Sequence, residues 1–262
     1  MKKNFIPSIC LLLTACALFA FTSGEKAKAE FYQLTVYQYN QPEQEAMLDT
    51  YLQQALLPAL HRMGIKNIGV FKAIANDTSM TKQLFVLVPF TSLDKVTDIT
   101  NKLMFDKQYQ EAGSAYINAP YTTAPYNRIK TILLKSFHLA PNLKLPELKG
   151  SRKDRVYELR SYESATEKIF RNKVHMFNEG DEIGLFARLN FNAIFYSEVI
   201  AGDKMPNLMY MTSFENMKDR DEHWKAFGND PYWKKLSAMQ EYQKNVSHID
   251  ITFLRPTEYS DY

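Results

Sequence analysis

Arg155-Val156-Tyr157-Glu158-Leu159-Arg160-Ser161-Tyr162 is a short alternating stretch, and its pattern has already occurred once as Phe31-Tyr32-Gln33-Leu34-Thr35-Val36-Tyr37. Side chains of a strand alternate between its faces, so each stretch predicts a β-strand with one face packed on a core. The two lie about 125 residues apart in a chain of 262 residues, which points to a duplicated unit.

Working outward from the first copy, Pro42 opens a helical pattern in which Leu48, Tyr51, Leu52, Ala55, Leu56, Ala59, Leu60 and Met63 recur at three-and-four spacing. Pro58 predicts a kink or restart, and Gly64 stands where a left-handed residue ends a helix. Residues 65–75 and 83–90 predict a hairpin. A helix follows near Ser92 with Leu93, Val96, Ile99 and Leu103 as its stripe, and a last strand runs over residues 128–137. The order is βαββαβ.

The second copy repeats it. Ser164-Ala165-Thr166-Glu167 reads as a capping box for a helix over the stripe Ile169, Phe170, Val174 and Phe177, interrupted at Asn178-Glu179-Gly180. Arg62-Met63-Gly64-Ile65 then lies over Arg188-Leu189-Asn190-Phe191, so that Gly64 meets Asn190, the two residue types that best tolerate a left-handed turn. Strands are predicted at 191–200 and 208–214, and Met217, Arg220, Trp224 and Phe227 mark a helix ending at Gly228. Asp230 and Pro231 are a natural N-cap and first residue for a helix over 232–244. Residues 246–255 supply the last strand. Phe90 pairs with Phe214, Leu93 with Met217, Asp106 with Asp230 and Tyr109 with Trp233 at one constant offset.

Composition bounds the function. Lys2 and Lys3, an apolar run from Ile9 to Phe21 and Ala27-Lys28-Ala29 make residues 1–29 a secretory signal, too short to span a bilayer. Cleavage after Ala29 predicts a periplasmic or extracellular protein. The alternative is a lipoprotein anchored at Cys16, since Leu13-Thr14-Ala15-Cys16 also fits a lipobox. Of 32 basic and 29 acidic residues the signal holds four and one, so the remainder is formally neutral, and nucleic acid is not an expected partner. Cys10 and Cys16 both lie in the signal, leaving no thiol for a disulfide or metal. The division expected is 30–140 for the first unit, 141–154 for a linker rich in Pro and Lys, and 155–262 for the second.

Tyr157 to Tyr162, Phe214 to Trp224, Asp230-Pro231-Tyr232-Trp233 and Phe253-Leu254-Arg255-Pro256-Thr257 resemble the NIPSNAP family. The resemblance covers the second copy end to end and the first more weakly, where Gln33 and Thr35 replace Glu158 and Arg160. It implies an α+β protein of tandem ferredoxin-like domains whose sheets pack as a dimeric α/β barrel or an intrachain pseudo-dimer, with a homo-oligomer also open. No reaction follows from it.

Glu158, Arg160 and Tyr162 share one strand face, and the first and last strands of such a unit are neighbours, so His248 and Asp250 are expected beside them. With helices on the Tyr157 side, the five would line the interior as a ligand-binding cluster for a small apolar or aromatic molecule. The competing reading is a cross-strand ion pair with a structural role. Trp224 and Trp233 read as core residues. His61, His138, His175 and His223 have no partner at metal spacing, and no metal site or cofactor is expected. The chain has no Gly-rich phosphate loop, nucleophile elbow or nucleophilic cysteine, which excludes most hydrolases and nucleotide enzymes. Two functions remain: a small-molecule binding or interaction protein, or a cofactor-free or haem-dependent oxygenase or isomerase.

Overall fold

The computed structural model describes residues 28–262, and the expected export signal falls almost wholly outside them. Eight strands close into one antiparallel barrel in the order β1-β3-β2-β8-β5-β7-β6-β4. They span Phe31–Tyr39 (β1), Gly69–Ala73 (β2), Lys82–Phe90 (β3), Arg128–Ser136 (β4), Val156–Glu163 (β5), Phe195–Ala201 (β6), Asn207–Phe214 (β7) and His248–Pro256 (β8). Each half contributes four strands in the same spatial arrangement. The halves are joined edge to edge where β2 pairs with β8 and β4 with β6. Closure leaves no unpaired sheet edge, so the duplicated chain supplies its own partner.

The first half carries helices α1 (Pro42–Tyr51), α2 (Leu57–Arg62), α3 (Leu93–Phe105), α4 (Lys107–Ala112) and α5 (Ser114–Ile117). A π-helical turn over Leu52–Leu56 joins α1 to α2 just before Pro58, the residue that lacks a donor for the regular ladder. The second half carries α6 (Glu167–Asn178), α7 (Glu182–Arg188), α8 (Met217–Asn229) and α9 (Pro231–Ala238). α6 starts two residues later than the proposed box. Thr166 caps it by accepting from the backbone N–H of Ile169, while the Ser164 hydroxyl donates to the carbonyl of Asn245. Asp230 caps α9 as expected, accepting from the N–H groups of Tyr232 and Trp233. That helix ends at Ala238, shorter than its sequence suggested.

Gly64 and Asn190 both adopt the left-handed conformation, at φ 80° and 56°. The repeat therefore preserves a backbone requirement through a change of side chain. It preserves an ion pair too: Arg62 bonds Asp106 at 2.6 Å, and Arg188 bonds Asp230 at 2.8 Å, each tying the turn after one helix to the cap of another.

The layers are the reverse of the sequence expectation. Tyr32, Leu34 and Val36 of β1 and Tyr157 and Leu159 of β5 point into the barrel, where they pack with Phe71, Phe85 and Leu254. Tyr162 and its neighbours point outward under the helices with Phe170, Phe177 and Phe186. Every residue of β5 before Glu163 is buried, so both faces of this strand are packed and alternation alone could not say which is inner. The segment between β4 and β5 is irregular but fastened. The N–H of Leu143 donates to Glu30, that of Lys144 to the carbonyl of Ile194, and those of Lys149 and Gly150 to the Glu215 carboxylate.

Candidate functional site

The five candidate residues fall into two groups on opposite sides of the barrel wall. Glu158 is fully buried in the layer between β5 and α8. Its carboxylate accepts from Arg160 Nε at 2.6 Å, from Arg220 Nε and an Arg220 terminal nitrogen at 2.8 and 3.0 Å, and from Trp224 Nε1 at 2.8 Å. Burial raises the Glu158 pKa, but the Arg220 hydrogen bonds, the Arg160 charge and Trp224 outweigh it and hold the group below its ordinary range. Arg160 lies over the Trp224 ring at 3.7 Å and donates to the Tyr162 hydroxyl, which bonds the Tyr210 hydroxyl at 2.8 Å. These groups are mutually satisfied and belong to a helix–sheet layer. The interior placement expected for Glu158, Arg160 and Tyr162 is thus corrected, because α8 brings the donors that the carboxylate needs to the outer face.

His248 and Asp250 are at the barrel mouth. The β5–β8 register sets Glu163 opposite His248 and Ser161 opposite Asp250. Asp250 accepts from His248 Nε2 at 3.2 Å and forms an ion pair with Lys204, which lies 3.7 Å from Glu163. Glu163, His248 and Asp250 offer three ligand atoms within 4.8 Å of one another, a juxtaposition invisible to sequence spacing. Lys204 already pairs with Asp250 there and lies near Glu163.

Below this rim a cavity of about 280 Å³ enters the barrel. Leu34, Phe85, Leu159, Val199 and Met209 form its apolar wall, drawn from both halves. Its polar groups are Gln83, Ser161, Asn207 and Thr252 with two ion pairs, Lys204–Asp250 and Lys130–Asp203, the latter 2.9 Å long. The lysines hold Asp250 and Asp203 below the usual carboxylate range, and Asp250 raises Lys204. Asn207 is 3% exposed, and its amide nitrogen donates to Ser161 Oγ at 2.8 Å while the amide oxygen has no partner. Turning the amide round would leave its nitrogen partly unpaired instead. At the far end Tyr32, Phe71, Tyr157 and Tyr262 fill the barrel, so the chamber opens from one side.

Sequence reasoning missed Lys130, Lys204, Ser161 and Asn207. Lys130 did leave a signal, since it shares the inward face of β4 with Ile132 and Leu134. Asn207 and Lys204 left none, because they belong to a hairpin end whose facing strands are distant in sequence.

Residues 157–261 match the NIPSNAP family. The match covers the half that carries Glu158, Arg160 and the Asp230-Pro231 cap, and it bears out the resemblance read from those residues. Among curated proteins none matches the chain. Solved structures share the barrel at low identity. A candidate monooxygenase from Lactobacillus acidophilus NCFM is similar with TM-score 0.57 at 11% identity, covering 87% of this chain and 94% of that one. A candidate monooxygenase from Fusobacterium nucleatum subsp. nucleatum gives 0.55 at 5%, covering 87% and 92%. An anthrone oxidase-like protein gives 0.51 at 7%, covering 90% and 93%. These likenesses concern the fold. Among the described residues no helix is long and apolar enough to cross a membrane.

Proposed function

We propose that this protein binds a small molecule in the mouth of its barrel, with an apolar or aromatic body against Leu34, Phe85, Leu159 and Met209 and a polar head at Asn207. The observation that carries this reading is a chamber with an apolar wall that is lined by Asn207, a buried residue whose amide has one end without a partner. A buried polar group without a partner costs on the order of 1–3 kcal/mol, and a ligand hydroxyl or amine would satisfy the free oxygen.

The same barrel in proteins named as monooxygenases or as anthrone oxidase-like supports a second reading, cofactor-free oxygenation of such a ligand. Binding without chemistry is favoured by the rim. General-base catalysis needs a group poised near neutral pH, whereas Asp203 and Asp250 are held acidic and Lys204 is held protonated by their ion pairs. His248 is not part of the chamber lining, and its side chain is 58% exposed. The haem-dependent version is disfavoured, since among the described residues no histidine or tyrosine lines the chamber. We also read each half as a ferredoxin-like unit and the chain as exported; immunoblotting of cell fractions tests the latter.

The binding reading is tested by purifying the protein from its native compartment and identifying small molecules released on denaturation by mass spectrometry. Thr252 is half-buried on the inner face of β8, and Thr252→Trp fills the chamber from the mouth. The wild type is expected to release a molecule that Thr252→Trp lacks; equal release from both would refute the assignment. Oxygen uptake by wild type on addition of the released molecule would favour the oxygenase.

A further inference from the structure

A second cavity, of about 350 Å³, lies on the other side of the wall in the first half, between the outer face of β1 and β3 and the overlying α3. The repeat explains why it is there. The offset that sets Leu93 over Met217 sets Val96 over Arg220 and Thr100 over Trp224, while Gln33 and Thr35 stand for Glu158 and Arg160. In the second half that space is filled by the Arg160 guanidinium stacked on Trp224 and by the carboxylate they share with Arg220. In the first half Thr35, Val96 and Thr100 are smaller than Arg160, Arg220 and Trp224, and Gln33 matches Glu158 in size without its charge, yet the flanking elements keep their places. The retained Arg62–Asp106 bond fixes the end of α3 as Arg188–Asp230 fixes that of α8. α3 has no fully buried residue, so it spans the gap without filling it.

The lining is chemically unlike the barrel mouth. None of its residues is charged. Val86, Val88, Phe90 and Ile99 give an apolar surface, and Tyr51 and Tyr109 meet at one side with their hydroxyls 2.9 Å apart. Burial raises the pKa of both phenols, keeping them as neutral donors. Two hydroxyls joined by one hydrogen bond use one proton between them, which leaves one O–H to donate. Met104, 58% exposed, lines the side where the cavity meets solvent.

We infer that the cavity under α3 is a second small-molecule site, specific for an uncharged, flat or rod-like apolar molecule carrying a hydrogen-bond acceptor such as a ketone. Charged ligands are disfavoured, since the lining holds no opposite charge to offset their desolvation.

The test uses Thr252→Trp protein, whose barrel chamber is blocked, and prodan, a neutral naphthyl ketone whose emission brightens and shifts to the blue in apolar surroundings. Saturable enhancement is expected in this background, and at least tenfold weaker binding after adding Thr100→Trp, which restores the second half's filler. The anionic 1-anilinonaphthalene-8-sulfonate should show no change caused by Thr100→Trp. If circular dichroism shows that Thr100→Trp does not fold, Thr100→Leu is read instead, with several-fold weakening expected. Absence of saturable prodan binding in the Thr252→Trp background, or unchanged affinity on substitution at Thr100, would overturn the assignment. Neither result bears on the barrel mouth.

Discussion

At the scale of single residues, Glu158 decides how the second half is held. It is an ion fully removed from water, and its stability depends on donors from β5 and α8 together. Removing it strands two guanidiniums, one of them buried, so Glu158→Ala should cost ~3–5 kcal/mol by urea denaturation. Arg160→Ala should cost less, because Glu158 keeps Arg220 and Trp224. If the two variants unfold at the wild-type midpoint, the group is not the buried network described. The first half gives a contrasting case at Gly64. An added Cβ there meets no atom within 4 Å, so Gly64→Ala carries only backbone strain, about 1–2 kcal/mol. Asn190→Gly, at the equivalent turn, should leave the thermal midpoint nearly unchanged, and a large loss would show that the Asn side chain is needed there.

Among elements, the turn between α8 and α9 is set by Asp230. Its Arg188 hydrogen bonds, and then the backbone N–H groups of Trp233 and Tyr232, pull its pKa from 3.8 to about 2. A carboxyl depressed on folding adds stability that is fully present above its unfolded pKa and is lost as pH falls through the folded one. The thermal midpoint should therefore drop between about pH 4 and pH 2, and Asp230→Asn, which can still cap the helix, should flatten that part of the profile. An identical slope in the variant would contradict the assignment. Such caps and turns were legible in the sequence because they are local: Asp230-Pro231 and the Gly64–Asn190 exchange each follow from one backbone requirement. Ser164 misled because a distant carbonyl, that of Asn245, competes for its hydroxyl. The start of β6 was placed too early, since Asn190 and Asn192 are both left-handed and extended pairing cannot begin until they are passed.

For the whole molecule, the order of strands and the pairing of first with last in each half followed from the repeat. The inner face did not. A period of two says that two faces differ, and β5 buries both, so nothing in Tyr157 to Tyr162 says which one meets the helices. Arg220 and Trp224 carried the missing information: a helix bearing a guanidinium and an indole donor must face the strand side that bears the acid. The barrel mouth was illegible for another reason, as it joins Ser161, Asn207, Lys204 and Asp250 from strands and a hairpin that only closure brings together. The duplicated chain has thus diverged into a half locked by a buried ionic group and a half that keeps a neutral cavity, with a shared chamber between them.

The presence of a ligand in that shared chamber is tested most directly by a crystal structure of the protein isolated from its native compartment with no ligand added. Density is expected for a small molecule between Leu159, Met209 and Thr252, with a donor atom at hydrogen-bonding distance from the Asn207 amide oxygen. A chamber holding only ordered water, or one collapsed so that the Asn207 amide bonds to protein at both ends, would contradict it.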